Sequence, residues 1–214
     1  QITVKTRTLT LDERDTLEQA LVDQLGADES SITSQSISST VSSEMRSDAI
    51  VAVIVSSICM LIYIWFRFKD VRFAGSAVIA LSHDVIMVFI CYVLAWISVG
   101  NTFIACMLTI IGYSINNTIV IFDRIRDALK KHHAQTKAAY KEIVNKSIAQ
   151  TMSRSVNTSI TTFVMVLVLY IMGVTSIREF ALPLMVGLLA GTYSSICLAS
   201  EIWYLLRTKG MKKE

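Results

Sequence analysis

The sequence predicts an all-α polytopic membrane helix bundle of five transmembrane helices, with a short α+β external fragment at its N-terminus. Three observations carry this. Hydrophobic residues make up 53% of the 214 residues and charged residues only 17%, with a single proline and eight glycines, which is a membrane composition. Five mostly apolar runs, 48–66, 73–97, 102–122, 156–173 and 180–206, each approach the roughly 20 residues a helix needs to cross the hydrocarbon core. The basic residues are also lopsided: three lie in 67–72, eight in 123–155 and four from Arg207 onward, against four in 1–47 and one in 174–179. Because cytoplasmic loops hold the excess of Lys and Arg, the N-terminal region is expected outside and the C-terminus in the cytoplasm. The net charge of +3 records that asymmetry. It suits anionic membrane lipids and gives no argument for nucleic acid.

Residues 1–47 read as the C-terminal part of an external domain. "ITVKTRTL" alternates like a strand, and "TLDERDTLEQALVDQLG" reads as a helix with a capping box from Thr10 and Glu13 and a C-cap at Gly26. One strand and one helix bury too little surface to fold alone, and the chain begins at Gln1 with neither a methionine nor a signal peptide. A fragment of a longer chain is therefore expected.

Residues 48–206 form the transmembrane domain. Its second span carries the sequence "AVIALSHDVIMVFI", with Asp84 on a stripe of Ser76, Ala77, Ala80, Val88 and Cys91 that lies on one side of a helix. Asp84 is twelve residues from Arg72, which at 1.5 Å per residue is about 18 Å deep, near mid-membrane. An acid there costs about 2.5–3.5 kcal/mol on insertion scales and is functional by default. Burial disfavours the charged carboxylate, so Asp84 is the candidate proton relay; the alternative is a neutral, hydrogen-bonded acid that joins helices. Ser82, His83 and Asp84 are no hydrolase triad, because consecutive helical side chains point about 100° apart. The same geometry predicts that His83 does not partner Asp84.

The third span, "TIIGYSINNTIVIFDRIRD", places Asn116 with Asp123 and Asn117 with Arg124 at seven-residue spacing. This makes a polar stripe that would be expensive against lipid. Asp123 and Arg124 sit at the inner boundary, where an ion pair or snorkelling to headgroups is the expected role; the alternative is that Arg124 is a charge partner that stabilises an ionised Asp84 in one conformation. The basic cytoplasmic connector 123–155 is expected to hold an amphipathic helix at the membrane surface, or else to be a solvated link. The fourth span opens "SVNTSITTF", bringing Thr158 and Thr162 to the same level as the polar stripe. In the fifth, Pro183, Gly187, Gly191, Ser195 and Ala199 recur every four residues, a stripe for helix packing. Glu201 near its inner end is a snorkelling acid or a second proton site. Residues 207–214 form a cytoplasmic tail. All four cysteines, Cys59, Cys91, Cys106 and Cys197, fall in apolar spans without metal-ligand spacing, so neither disulfide, metal nor other cofactor is expected.

Four stretches, "DAIVAVIVSSICMLIYIWFRF", "AVIALSHDVIM", "LTIIGYSINNTIVIFDRIRD" and "NKSIAQTMSRSVNTSITTF", together resemble the SecF protein-export membrane subunit, or the SecF half of a fused SecDF, in the resistance-nodulation-division superfamily. The resemblance runs from about Ser36 to Leu206. It implies a multi-pass protein of the bacterial or archaeal cell membrane, no enzyme, that works with SecD beside the SecYEG channel and uses protons to help move exported preproteins. It also implies that Asp84 is the proton carrier and Arg124 a functional basic position. Two departures matter: the chain has Asn117 where many members carry an acid, and "STVSSEM" before the first span where the family is richer in glycine and proline. The competing readings are a proton-coupled small-molecule exporter of the same superfamily and a non-transporting assembly scaffold for the channel.

Overall fold

The computed structural model describes residues 4, 6, 9–26, 32, 39–97, 99–132 and 135–209. The chain divides into two compact units, 1–48 and 49–214.

In the first unit, helix α1 spans Leu11–Leu25. Thr10 and Glu13 close its capping box, Glu13 accepting from the Thr10 N–H at 2.9 Å and Thr10 accepting from the Glu13 N–H at 3.4 Å. Gly26 ends it with φ 63°, the left-handed geometry a glycine adopts without steric cost. The strand expected over residues 2–9 lies largely outside the described residues, and no strand occurs among those that are described.

Among the described residues five helices are long and apolar enough to cross a membrane. They are α2 (Ser39–Phe68), α3 (Val71–Leu94), α4 (Asn101–Lys131), α5 (Lys137–Met172) and a composite fifth. That last run starts as α6 (Thr175–Tyr193), widens into a π-helical turn at Ser194–Ala199 and ends as α7 (Ser200–Thr208). The turn between α2 and α3 is tight: Lys69 takes a left-handed φ of 54°, and Asp70 caps α3 by accepting the Arg72 N–H at 2.9 Å.

The structure corrects the connector. Among the described residues of 123–155 no separate surface helix occurs; α4 runs on to Lys131, α5 begins at Lys137, and both extend beyond the predicted spans. The physical reason is local: neither glycine nor proline interrupts the chain between Gly112 and Gly173, so no breaker falls inside either helix; α4 ends at the extended His132 and Thr136 caps α5.

The bundle core is built by α3, α4 and the α6–α7 run, with α5 against α4 and α6. At the basic end an aromatic cluster locks these helices together. Phe73 stacks on Trp203 at 4.8 Å and on Phe68 at 5.0 Å, and meets the edge of Phe122 at 4.9 Å. Arg67 and Arg126 lie over the Phe68 ring and both pair with Asp123, at 3.1 and 3.0 Å. At the other end Tyr92 meets Phe103 edge-on at 4.9 Å.

Candidate functional site

Asp84 is completely buried. The small residues of its stripe explain how. Ser76, Ala77 and Ala80, one and two turns before it, are buried as well, so α4 and α6 approach α3 closely enough to enclose a short side chain. Opposite, Gly191 brings α6 against α4: a Cβ there would stand 3.1 Å from the Ser114 Cβ. That approach lets two hydroxyls from different helices reach one oxygen. Ser114 of α4 donates to Asp84 Oδ2 at 2.5 Å, and Ser194, the first residue of the π-helical turn, donates to the same oxygen at 2.8 Å. The π-helical turn lies next to the acid, where such widened turns are often found at functional sites.

Asp84 Oδ1 faces His83 Nδ1 at 3.1 Å. This overturns the expectation that the two do not meet. A 100° separation of Cβ directions keeps three side chains from converging, but an imidazole and a carboxylate on adjacent residues can still bend together across it. Ser82 remains apart, exposed and donating to the Val78 carbonyl at 2.9 Å, so no triad forms. The His83 side chain is 34% exposed against 0% for Asp84, which makes it the polar group leading from the acid to the bundle surface.

A second hydroxyl network extends toward the basic end. Ser195 donates to the Ser114 carbonyl at 3.1 Å and lies 2.9 Å from Thr118 Oγ1, and Thr118 donates to that same carbonyl at 3.1 Å. Asn117 is buried beside them with its amide nitrogen unpartnered. On the α5 side, Ser159 lies 2.6 Å from Thr192 Oγ1 and accepts from Tyr113 at 3.1 Å.

The remaining predicted residues fall elsewhere. Arg124 is exposed and donates its Nε proton to Gln150 at 2.6 Å, while Asp123 pairs with Arg67 and Arg126; neither reaches Asp84. The polar stripe splits, with Asn116 exposed and Asn117 buried. Thr158 and Thr162 donate to carbonyls of their own helix. Gly187 and Gly191 are buried against Ile110 and Ser114, and Ser195 joins the hydroxyl network. Glu201 is exposed. Sequence reasoning missed Ser114 and Ser194 as partners of the acid. The signal was present in "GTYSSI", a run of hydroxyl side chains inside an apolar span.

Residues 17–209 match the family "Protein export membrane protein SecD/SecF, C-terminal". Among curated relatives, the protein translocase subunit SecF of Alicyclobacillus acidocaldarius is 44% identical over 83% of this chain and 58% of its own length. The fused translocase subunit SecDF of Bacillus subtilis is 42% identical over 83% of this chain and 24% of its own. The chain thus spans about three-fifths of the first and a quarter of the second. A crystal structure of SecDF, a translocon-associated membrane protein from Thermus thermophilus, superposes with a TM-score of 0.78 at 36% identity, covering 94% of this chain and 27% of that one. A SecDF structure in a super-membrane-facing form gives 0.75 at the same identity and coverage.

Proposed function

The chain belongs to the SecD/SecF protein-export membrane family, and from that premise we propose that it is the SecF-type part of a protein translocase in which protonation of Asp84 drives a change in helix packing. The observation that carries this is the fully buried carboxylate shared by hydroxyls from two neighbouring helices.

Each serine has one proton to donate. With Asp84 ionised, both Ser114 and Ser194 give theirs to Oδ2, and hydrogen bonds to a charged acceptor contribute about 1.5–3 kcal/mol each. When Oδ2 takes a proton it can accept less and must itself donate. Ser194 then has a second acceptor within reach, the Gly191 carbonyl at 3.3 Å. Protonation therefore weakens the tie between α3 and the π-helical turn and strengthens one within the α6 run. Such a turn offers two hydrogen-bond registers, the discrete alternatives a switch requires.

Among the described residues no Lys or Arg neutralises Asp84; His83 is the one ionisable side chain paired with it. Proton traffic in this reading passes through His83, which reaches the surface of the bundle. One charge moving through 100 mV supplies about 2.3 kcal/mol, enough to shift a choice between two packings. No covalent step is involved. The partners in this reading are SecD, the SecYEG channel and exported preproteins, in a cell membrane with the basic ends of the helices in the cytoplasm.

The test is Asp84→Asn in the full-length protein. The amide keeps the size and one acceptor oxygen but cannot cycle a proton. Proton-gradient-dependent export is expected to fall more than about tenfold, a loss of roughly 1.4 kcal/mol or more in the coupled step, while the complex still assembles. Unimpaired export by an assembled variant would reduce Asp84 to a helix-joining residue and favour the scaffold reading.

A further inference from the structure

Between α4 and α5, beyond the apolar part of both helices, lies a cleft of about 200 Å³. We propose that it binds the phosphate of an anionic phospholipid headgroup. This does not depend on Asp84 or on proton coupling.

Charge is the first argument. Arg124, Lys131 and Lys146 line the cleft, with Asp127 as its one acid, and Asp127 already lies 3.8 Å from Arg126. Arg124 gives its Nε proton to Gln150. That contact fixes the guanidinium while leaving its terminal amino groups for a ligand, and a guanidinium fork matches phosphate oxygens.

The second argument is an orphan. Ser147 also lines the cleft, is 1% exposed, and its hydroxyl has no hydrogen-bond partner. A buried hydroxyl without a partner has lost its water and gained nothing in exchange. A phosphate oxygen entering the cleft would accept that proton. Ile143 and Ala128 supply an apolar wall, suited to the glycerol end of a lipid.

Depth is the third. Arg124 is two residues and Lys131 nine residues past Phe122, or about 3 and 13 Å along the axis. The headgroup layer begins at that level, lysine stems can bend back to reach it, and basic pockets between membrane helices on the cytoplasmic side suit anionic headgroups.

The experiment measures binding of fluorescent phosphatidylglycerol to the full-length protein in detergent, with phosphatidylcholine and inorganic phosphate as competitors. Lys131→Gln combined with Lys146→Gln should raise the Kd about tenfold or more. Lys137→Gln combined with Lys141→Gln, an equal loss of charge outside the cleft, should leave it nearly unchanged. Competition by inorganic phosphate as strong as that by unlabelled phosphatidylglycerol would assign the site to the free anion; competition by phosphatidylglycerol alone assigns it to lipid. Equal weakening in both double variants, or displacement by phosphatidylcholine, overturns the proposal. If the cleft variant fails to assemble, Ser147→Ala keeps the question open to measurement: it removes an unsatisfied hydroxyl, and unchanged affinity there overturns the site as well.

Discussion

The first and last of the described membrane helices are both apolar enough to cross a membrane, yet their burial runs against the order of their hydropathy. Over its most apolar 18-residue stretch the α2 span has a mean hydropathy of 2.2 and 6% of its residues buried; the corresponding stretch of the Ile177–Thr208 run has a lower mean, 1.6, and 61% buried. In water the greasier helix would be the more buried one. In a membrane, lipid tails are as apolar as leucine, so burial follows close packing and hydrogen bonding instead. The last run has Gly187 and Gly191 on its contact face and Ser194 and Ser195 to donate across it. Over Ile50–Phe68 the α2 span has no glycine, presents Ile54, Ile58 and Trp65 outward, and buries only Ile64 and Phe68 near its basic end.

The largest effect that would sharpen this contrast is at Gly187. A side chain there must occupy space held by Ile110 of α4 and Val88 of α3. Gly187→Leu should therefore cost at least about 1–3 kcal/mol, the usual penalty for overpacking, and separate the α3–α4–α6 core. Loss of a cooperative unfolding transition in detergent titration is the expected result. A wild-type transition would show that the small-residue stripe is not what holds the run in place.

Ser194→Ala tests the polar half of the same face with a smaller effect. The substitution removes one of two donors to Asp84 Oδ2 and leaves the helix contact intact. Thermal stability should change by about 1 kcal/mol or less, because the acid retains its hydrogen bond from Ser114. Proton-dependent export should fall about tenfold, since the acceptor switch between Asp84 and the Gly191 carbonyl is lost. Ser194→Thr, which restores the hydroxyl, should recover part of it. Stability and export falling together in both variants would instead mark Ser194 as a packing residue alone.

The same comparison explains what the sequence made readable. Hydropathy marks all five spans, since length and apolarity suffice for that, and the four-residue spacing of Gly187, Gly191 and Ser195 marks the contact face of the last one. The face of Asp84 was legible from its small neighbours at four-residue spacing. Its partners were not, because Ser114 and Ser194 are thirty and 110 positions away, and a hydroxyl in a membrane helix ordinarily bonds its own backbone, as Thr158 and Thr162 do here. Nor did periodicity announce the π-helical turn, whose one extra residue shifts which side chains face the core. His83 was misjudged because the 100° rule describes Cβ directions and says little about where an imidazole on a flexible χ1 ends.

The smallest expected effect is the one that isolates the principle. Ile54 and Ile58 on α2 are each just over half exposed, and replacing both by alanine removes substantial apolar volume from a span that packs little within this chain. For a soluble protein, truncating well-packed isoleucines would cost about 2–5 kcal/mol apiece. Here the side chains leave no cavity, because lipid fills the space, and the transfer term is absent as lipid replaces isoleucine with a solvent of the same kind. The double variant should therefore unfold in detergent within about 0.5 kcal/mol of wild type. A cost several times larger in the full assembly than in the isolated chain would mean that this face of α2 packs against another polypeptide. The ratio of that cost between the isolated chain and the full assembly would then measure how much of the α2 surface is an interface.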